Sequence, residues 1–302
     1  MLPPFVGKYW VSVLTVLAIN AIVLMSFRLI TTAGLWSFAH VVMMGLGSYT
    51  SAFLTVKYFD WPFWLVLPLG GLAASLFALI VSYPLLRTKG FFFFLTSFAA
   101  GEAMRQAWVR FKNPFESYLG ISPVMRPILF GAVASTLQYY YVVLTVAFLC
   151  LFILYQMDKS RTGDTLKAIA LNENMCKSVG INVWRYKTLA LVVGSFFAGI
   201  GGVLFAHHNI VVAPGDFTTV YMFKFVGFAL VGGTATFGGP LVGLVLLTLV
   251  TELSRDIPEW VPFIYGVVII IILLFLPGGL GSLPRRMSPL FKKWILLARK
   301  QL

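Results

Sequence analysis

The sequence predicts an all-α fold, a polytopic transmembrane helical bundle of about eight or nine spans in which some helices are broken. Hydrophobic residues make up 59% of the 302 residues, and charged residues only 11%. Ordinary soluble domains average roughly 45–50% and 25%. The mean hydropathy of +0.90 excludes a soluble globule and suits lipid, where each backbone amide must be bonded within its own helix.

The predicted spans follow the apolar runs along the chain, each near the length of about 20 residues that crosses a bilayer. They lie near residues 10–30, 34–56, 63–84, 90–109, 137–156, 188–208, 220–235, 239–254 and 261–276. The first run is too long for a signal-peptide core, so we expect it to remain as a span. The list contains nine spans, and an odd number of spans places the two termini on opposite sides of the membrane.

The distribution of positive charge predicts the orientation. The net charge is +13, and most of the Lys and Arg residues fall in two segments, residues 157–187 and the tail 284–302. Because Lys and Arg are enriched in cytoplasmic loops, we expect both segments to be cytoplasmic. Cytoplasmic loops next to membrane lipid therefore explain the net positive charge, and we expect no nucleic acid as a partner.

Several spans carry residues that break helices or pack them closely. The run 34–56 contains Gly and polar residues, and residues 232–240 read Gly-Gly-Thr-Ala-Thr-Phe-Gly-Gly-Pro. Broken backbone at membrane depth survives only where protein or a cavity satisfies it, which is typical of transporters. The small residues at helical spacing, Gly194, Ala198 and Gly202, indicate close helix packing.

The long polar stretch 156–187 predicts a short amphipathic helix between two spans. Asp164 is a candidate N-cap and Gly180 a candidate C-terminus. The apolar positions fall mainly on one face: Leu166, Ile169, Ala170, Cys176 and Val179. That stripe either lies on the membrane surface or docks into a partner protein.

The segment from Asp164 to Asn182 resembles the cytoplasmic coupling loop of branched-chain amino acid ABC transporter permeases of the LivM type. The matching pattern has an Ala-Ile core, then Asn-Glu, then Gly-Ile-Asn. The resemblance assigns the following residues to the loop that contacts the ATPase: Asp164, Leu166, Ala168, Ile169, Asn172, Glu173 and Gly180.

The resemblance continues over most of the chain. Ser37 to Tyr49 is similar to a family segment that carries a His and ends in Gly-x-Gly-Ala-Tyr, and Gly101-Glu102-x-x-Arg105 is similar to the family's Gly-Glu-x-x-Arg. The resemblance therefore places four residues on the substrate pathway: His40, Tyr49, Glu102 and Arg105. The chain departs from the family at Ala39, where the family has Gly, and in residues 113–122, where only Gly120-Ile121 matches.

The resemblance implies a single transmembrane permease domain, residues 1–302, that forms half of the pathway of an ATP-driven importer for branched-chain or related amino acids. Its implied partners are a second permease of the LivH type, two cytoplasmic ABC ATPases, and a periplasmic or tethered binding protein. The implied location is the cytoplasmic membrane of a bacterium or archaeon. The chain has no Gly-x-x-x-x-Gly-Lys-[Ser/Thr] motif, so we expect ATP to be used by partner subunits and no cofactor to be bound here.

Two other classes of function are open at this point. An ion-driven secondary transporter of a small polar solute would use intramembrane charges, for which Glu102, Arg105 and Lys224 are candidates. Glu102 and Arg105, spaced i, i+3, favour a structural ion pair over a proton relay. A membrane enzyme would need a converging nucleophile and base or a metal set, and the histidines have no Cys or carboxylate at ligand spacing beside them. A lone histidine such as His40 is more typical of a hydrogen bond between helices.

Overall fold

The computed structural model describes residues 7–57, 59, 61–129, 132–276 and 278–282, so the predicted tail 284–302 lies outside the described residues. Twelve α-helical segments follow one another within these described ranges: α1 (Lys8–Thr31), α2 (His40–Ala52), α3 (Phe63–Leu85), α4 (Phe91–Arg110), α5 (Lys112–Phe115), α6 (Thr136–Lys159), α7 (Arg161–Leu171), α8 (Glu173–Ser178), α9 (Val183–Asn209), α10 (Thr219–Gly232), α11 (Gly239–Leu253) and α12 (Val261–Phe275). A hairpin of two-residue strands, β1 (Ile128–Leu129) and β2 (Ala132–Val133), precedes α6. The all-α prediction is confirmed.

Each predicted span coincides with a helix. Among the described residues, five helical segments are long and apolar enough to cross a membrane: Lys8–Thr31, Phe63–Leu85, Thr136–Lys159, Val183–Asn209 and Val261–Ser282. The apolar helices α10 and α11 are shorter, as expected for broken spans.

The second predicted span begins later than the sequence pattern indicated. Residues 34–39 are not helical, and α2 starts at His40 and continues into a π-helical turn, Phe53–Lys57. Gly34 adopts a positive φ of 76°, which ends the preceding helix at little steric cost. The segment is buried at Leu35 and from Ser37 to Ala39, and the Phe38 backbone N–H donates to Ser97 Oγ at 3.0 Å. Its backbone is thus satisfied by protein, as required inside a membrane.

The helices of residues 1–223, the first of two compact units, alternate in direction between two ends. The inner end is defined here as the one that carries α7 and α8, because Gly34 packs against Ala170 there. At the outer end, Ser12 Oγ lies 3.1 Å from His208 Nε2, which joins the start of α1 to the end of α9. This alternation agrees with the predicted order of the first spans.

The centre of this unit is built on close contacts among α2, α3 and α9. A Cβ atom at Gly47 would collide with the backbone of Gly199, and one at Gly202 with the carbonyl of Met44. Ser48 Oγ donates to the Gly202 carbonyl at 2.7 Å, which strengthens the contact. The predicted packing role of the small residues in α9 is confirmed, since such residues allow helix backbones to approach closely.

A cap of irregular chain covers the outer end. Ile121 and Val212 pair in antiparallel fashion, with N···O distances of 3.0 and 3.1 Å. Gly120 has a φ of 71°, and a Cβ there would strike the Val212 carbonyl. The Gly120-Ile121 dipeptide, the part of residues 113–122 that matches the family pattern, therefore joins two outer loops.

The second unit, residues 224–302, packs two glycine-rich segments together. A Cβ at Gly232 would collide with Gly239, and one at Gly233 with Gly278. Gly243 fits equally closely against the Phe228 carbonyl. The break predicted in residues 232–240 is thus held by backbone packed on backbone.

Candidate functional site

His40 lies between α1 and α2 and is almost fully buried. Its Nε2 atom lies 3.1 Å from the Val23 carbonyl oxygen and 3.0 Å from Ser26 Oγ. Because a carbonyl only accepts, the Nε2 proton serves a hydrogen bond between helices, and the ring also contacts Phe27. His40 therefore makes the hydrogen bond between helices that we expect for a lone histidine in a span. Its place on a pathway remains a prediction.

Tyr49 is on the opposite face of α2, since nine residues at 100° each amount to half a turn beyond two full turns. Its ring is buried in a cluster of aromatic side chains: Phe53, Trp108, Phe115 and Phe217. Among the described residues, the Tyr49 hydroxyl and Trp108 Nε1 find no hydrogen-bond partner. Two buried polar atoms without partners are costly, so this cluster is the part of the predicted pathway best suited to meet a polar group.

Glu102 and Arg105 form the predicted ion pair on one face of α4. Arg105 Nε donates to Glu102 Oε2 at 2.9 Å, and Gln106 Nε2 donates to Oε1 of the same carboxylate at 2.8 Å. The pairing is confirmed, and it lowers the cost of holding both charges in a span. A crevice beside Glu102 is lined in part by Phe217, the ring that also contacts Tyr49.

The structure therefore brings two of the proposed pathway positions together and separates a third. The regions of Tyr49 and Glu102 share Phe217, whereas His40 faces α1. The sequence did not indicate Trp108 or Phe217 as part of this region, because an aromatic residue in an apolar run has no distinguishing pattern.

The predicted amphipathic helix is two helices, α7 and α8, that meet at Asn172. Ser160, and not Asp164, is the N-cap of α7: its hydroxyl accepts from the Gly163 N–H at 3.4 Å. Asn172 caps α8 in the same way, accepting from the Met175 N–H at 3.0 Å. Asp164 lies in the first turn of α7, where a carboxylate still interacts well with the helix dipole. Gly180, at a φ of 84°, follows the end of α8, as predicted.

The apolar stripe of this segment is covered by the chain itself. Ile169 is only 1% exposed and packs with Cys176 and Val183, and Leu166 is also buried. The prediction that these side chains await a partner is wrong for Leu166, Ile169 and Cys176. An amphipathic pattern shows that a face is buried but not which surface buries it.

Val179 of the predicted stripe remains exposed at 71%, and so do two further apolar residues of this segment, Leu171 at 89% and Met175 at 69%. Leu171 ends α7, Met175 lies in α8, and Val179 follows it. Exposed apolar residues grouped in this way indicate an interaction surface more than scattered single ones do. Of the predicted coupling residues, Ala168 lies in α7 and Asn172 lies between the two helices as the N-cap of α8.

Two contacts attach this segment to the spans, and a buried ion pair between two spans anchors the first of them. Arg28 Nη1 of α1 lies 3.0 Å from Asp158 Oδ1 of α6, and both side chains are buried. Lys167 of α7 donates to the Asp158 carbonyl at 2.8 Å. On the other side of the segment, Glu173 of α8 pairs with Lys187 of α9. Sequence analysis missed the Arg28–Asp158 pair; the available signal was one Arg and one Asp near the same predicted end of two spans.

Outside the spans, Glu116 pairs with Lys57 at 2.6 Å in the outer cap. The hydrogen bond from the Lys57 ammonium lowers the pKa of the Glu116 carboxyl. The pair joins the end of α2 to the loop after α5. It is open to solvent, so its contribution to stability is small.

Comparison with known proteins supplies the family. Residues 9–276 match the family described as branched-chain amino acid transport system / permease component. The chain is 25% identical over 308 aligned residues to the high-affinity branched-chain amino acid transport system permease protein LivM of Escherichia coli strain K12, covering 94% of this chain and 72% of that protein.

Two further relatives carry related names. LivM of Salmonella typhimurium is 26% identical, with 80% of this chain and 62% of that protein covered. The high-affinity branched-chain amino acid transport system permease protein LivH of Escherichia coli strain K12 is 28% identical over 51% of this chain and 50% of that protein. No solved structure matches the chain.

The family match covers both compact units, and the helical bundle has the long apolar helices that a permease needs to cross a membrane. A role in transport, and not as a catalytic enzyme, follows from the family. This chain is a multi-pass membrane protein that belongs to the family of permease components of branched-chain amino acid transport systems.

Proposed function

We propose that this chain is one of two permeases in an ATP-driven importer of branched-chain or related amino acids in a bacterial or archaeal cytoplasmic membrane. A second permease of the LivH type completes the pathway, two cytoplasmic ABC subunits hydrolyse ATP, and a periplasmic or tethered binding protein delivers the amino acid. The chain binds no cofactor and catalyses no reaction itself. The family match over residues 9–276 carries the proposal.

The segment formed by α7 and α8 is proposed as the contact with the ATPase. Its buried face is held to the chain's own helices, because Leu166 and Ile169 are buried and the Lys167–Asp158 and Glu173–Lys187 pairs join the segment to α6 and α9. Its exposed face is apolar and small enough to fit a groove on a protein. A push on this face is therefore transmitted to α1, α6 and α9, because the ion pairs and the Ile169 cluster connect the segment to all three.

The test replaces Leu171 with Asp, which places a charge on the exposed face without entering the chain's own core. Burying an unpaired charge is strongly unfavourable, so we expect at least a tenfold loss of co-purifying ATPase, about 1.4 kcal/mol or more, and a matching loss of uptake. The matched control is Leu119→Asp, equally exposed at 86% but at the outer end. Normal ATPase recovery and uptake in Leu171→Asp would refute this contact.

The polar end of the cargo is proposed to meet the Tyr49 cluster during transport. The Tyr49 hydroxyl and Trp108 Nε1, both without partners among the described residues, can donate to a carboxylate, and the Tyr49 hydroxyl can also accept from an ammonium group. The surrounding rings suit an apolar side chain. Tyr49→Phe should leave the fold intact and lower the uptake rate. Unchanged uptake would remove the cluster from the pathway.

A further inference from the structure

A cavity lies at the outer end, away from the predicted pathway residues. It has a volume of about 550 Å³ and lies between the start of α3 and the loop before α6. Its lining includes Trp61, Trp64, Met125, Arg126, Val133 and His207. The walls are mostly apolar, and a single cation stands among them.

Arg126 is that cation, and most of its donors are unused. Its Nη1 donates to Thr136 Oγ1 at 2.9 Å, and the guanidinium lies 5.8 Å from the centre of the Tyr139 ring. Its Nε atom is buried and has no partner among the described residues. In that part of the chain Arg126 also makes no ion pair. A buried guanidinium donor without an acceptor calls for an anion, which such a fork binds well.

Of the other polar side chains in the wall, Thr55 donates its hydroxyl to the Ser51 carbonyl, and His207 is hydrogen-bonded at both ring nitrogens. Its Nδ1 donates to the Met125 carbonyl, and its Nε2 lies 3.0 Å from Ser51 Oγ. None of the lining residues, all of which are described, is Asp or Glu. An amino acid zwitterion would therefore find a charged partner for its carboxylate and no carboxylate for its ammonium group, so the cavity fits an anion better than the proposed cargo.

The position of the cavity indicates the source of that anion. Trp61 and Trp64 are exposed at the start of a span, where such rings lie at the level of lipid headgroups. From Trp64 an exposed apolar stripe runs inward along α3 at helical spacing, through Leu65, Leu72, Leu76, Leu79 and Tyr83. A molecule with its anionic end at Arg126 can thus extend an acyl chain along α3.

We propose that this cavity binds the phosphate of an anionic phospholipid in the outer leaflet, with Arg126 as its charged partner. The site is independent of the proposed transport function, since it shares no residue with the Tyr49 cluster or the segment formed by α7 and α8. The bound lipid would cover the exposed side chains of Met125 and Val133 and hold the outer cap against α3.

The test measures retention of phosphatidylglycerol by the purified, full-length chain in its complex, using native mass spectrometry after reconstitution in mixed vesicles. Arg126→Gln should reduce retention about tenfold, the effect of losing one charge-assisted hydrogen bond. The control Arg110→Gln removes an exposed arginine from the same end of the bundle, outside the cavity. Equal retention in the two variants would overturn the proposal.

A second pair of variants keeps the test valid if Arg126→Gln fails to fold. Val133 is exposed in the cavity wall, so Val133→Asp should repel the phosphate with little effect on folding, and Val133→Asn is the uncharged match. We expect a loss of phosphatidylglycerol in the Asp variant alone. Equal retention of phosphatidylcholine and phosphatidylglycerol by the unaltered chain, or displacement of lipid by millimolar inorganic phosphate, would show that the cavity does not select an anionic lipid.

Discussion

The buried pair of Arg28 and Asp158 gives the most direct prediction about how α1 and α6 are joined at the inner end, where Lys167 of α7 also contacts Asp158. Asp158 is the penultimate residue of α6, where the helix dipole disfavours a carboxylate by roughly 0.3–1 kcal/mol. Its side chain is only 9% exposed. Arg28→Met would therefore leave a buried carboxylate next to helix carbonyls, with its main counter-charge removed.

The size of the stability loss depends on how well Lys167 compensates for the lost charge of Arg28. Removing one partner of a buried ion pair typically costs about 3–5 kcal/mol. Lys167 Nζ stays 3.5 Å from Asp158 Oδ1, but its side chain is 41% exposed, so solvent weakens its compensation. We expect a loss of about 2–4 kcal/mol in Arg28→Met, about the same in Asp158→Asn, and a coupling energy of about 2 kcal/mol when the two are combined.

The assay is equilibrium unfolding in mixed detergent micelles, followed by helical circular dichroism, for both single variants and the double variant. Hydrogen exchange at the inner ends of α1 and α6 provides a second readout, because these two helices lose their buried connection and should exchange faster there. Lys57→Met breaks the solvent-open pair at the outer end and serves as control, with a smaller expected loss than either buried variant. Strict additivity, or unchanged exchange in α1 and α6, would refute the reasoning.

Two other predictions concern charges on α4 and in the outer cap. Glu102→Gln should lower transport more than the double variant Glu102→Gln/Arg105→Met does, because the single change leaves Arg105 without its bidentate partner. Uptake assays on the two variants check this prediction. Equal losses of uptake would exclude the pairing as the cause. The Glu116 pKa is lowered in the folded chain by Lys57, so the pair's small contribution to stability is present above the unfolded carboxyl pKa and disappears as the pH falls through the folded value. Melting curves between pH 7 and 3 should show a smaller acid-induced decrease for Glu116→Gln than for the unaltered chain, and identical decreases would contradict that assignment.

The elements that could be predicted from the sequence are those set by local pattern. Long apolar runs specify helices because an unbonded amide in lipid is too costly, and every predicted span coincides with a helix. The Glu102–Arg105 pair was predictable because three residues along a helix bring two side chains to one face. The packing role of Gly194, Ala198 and Gly202 in α9 was predictable for the same reason, because their spacing places them on one face of the helix.

The features that were missed depend on contacts between distant segments. Ile169 looked available to a partner because nothing local indicates that Val183 covers it. Arg28 and Asp158 are separated by 130 residues, and only the packing of α1 on α6 brings them together. Phe217 joins Tyr49 to the crevice beside Glu102 through a loop whose position no periodicity could reveal.

The central claim is that this chain works in an importer that ATP drives. The direct measurement reconstitutes the complex in proteoliposomes and follows labelled leucine, with ATP on the side of α7 and α8 and the binding protein on the other. We predict uptake that requires both ATP and the binding protein and that persists when ionophores collapse all ion gradients. Uptake that proceeds without ATP and stops on addition of an ionophore would contradict the account and favour an ion-driven transporter.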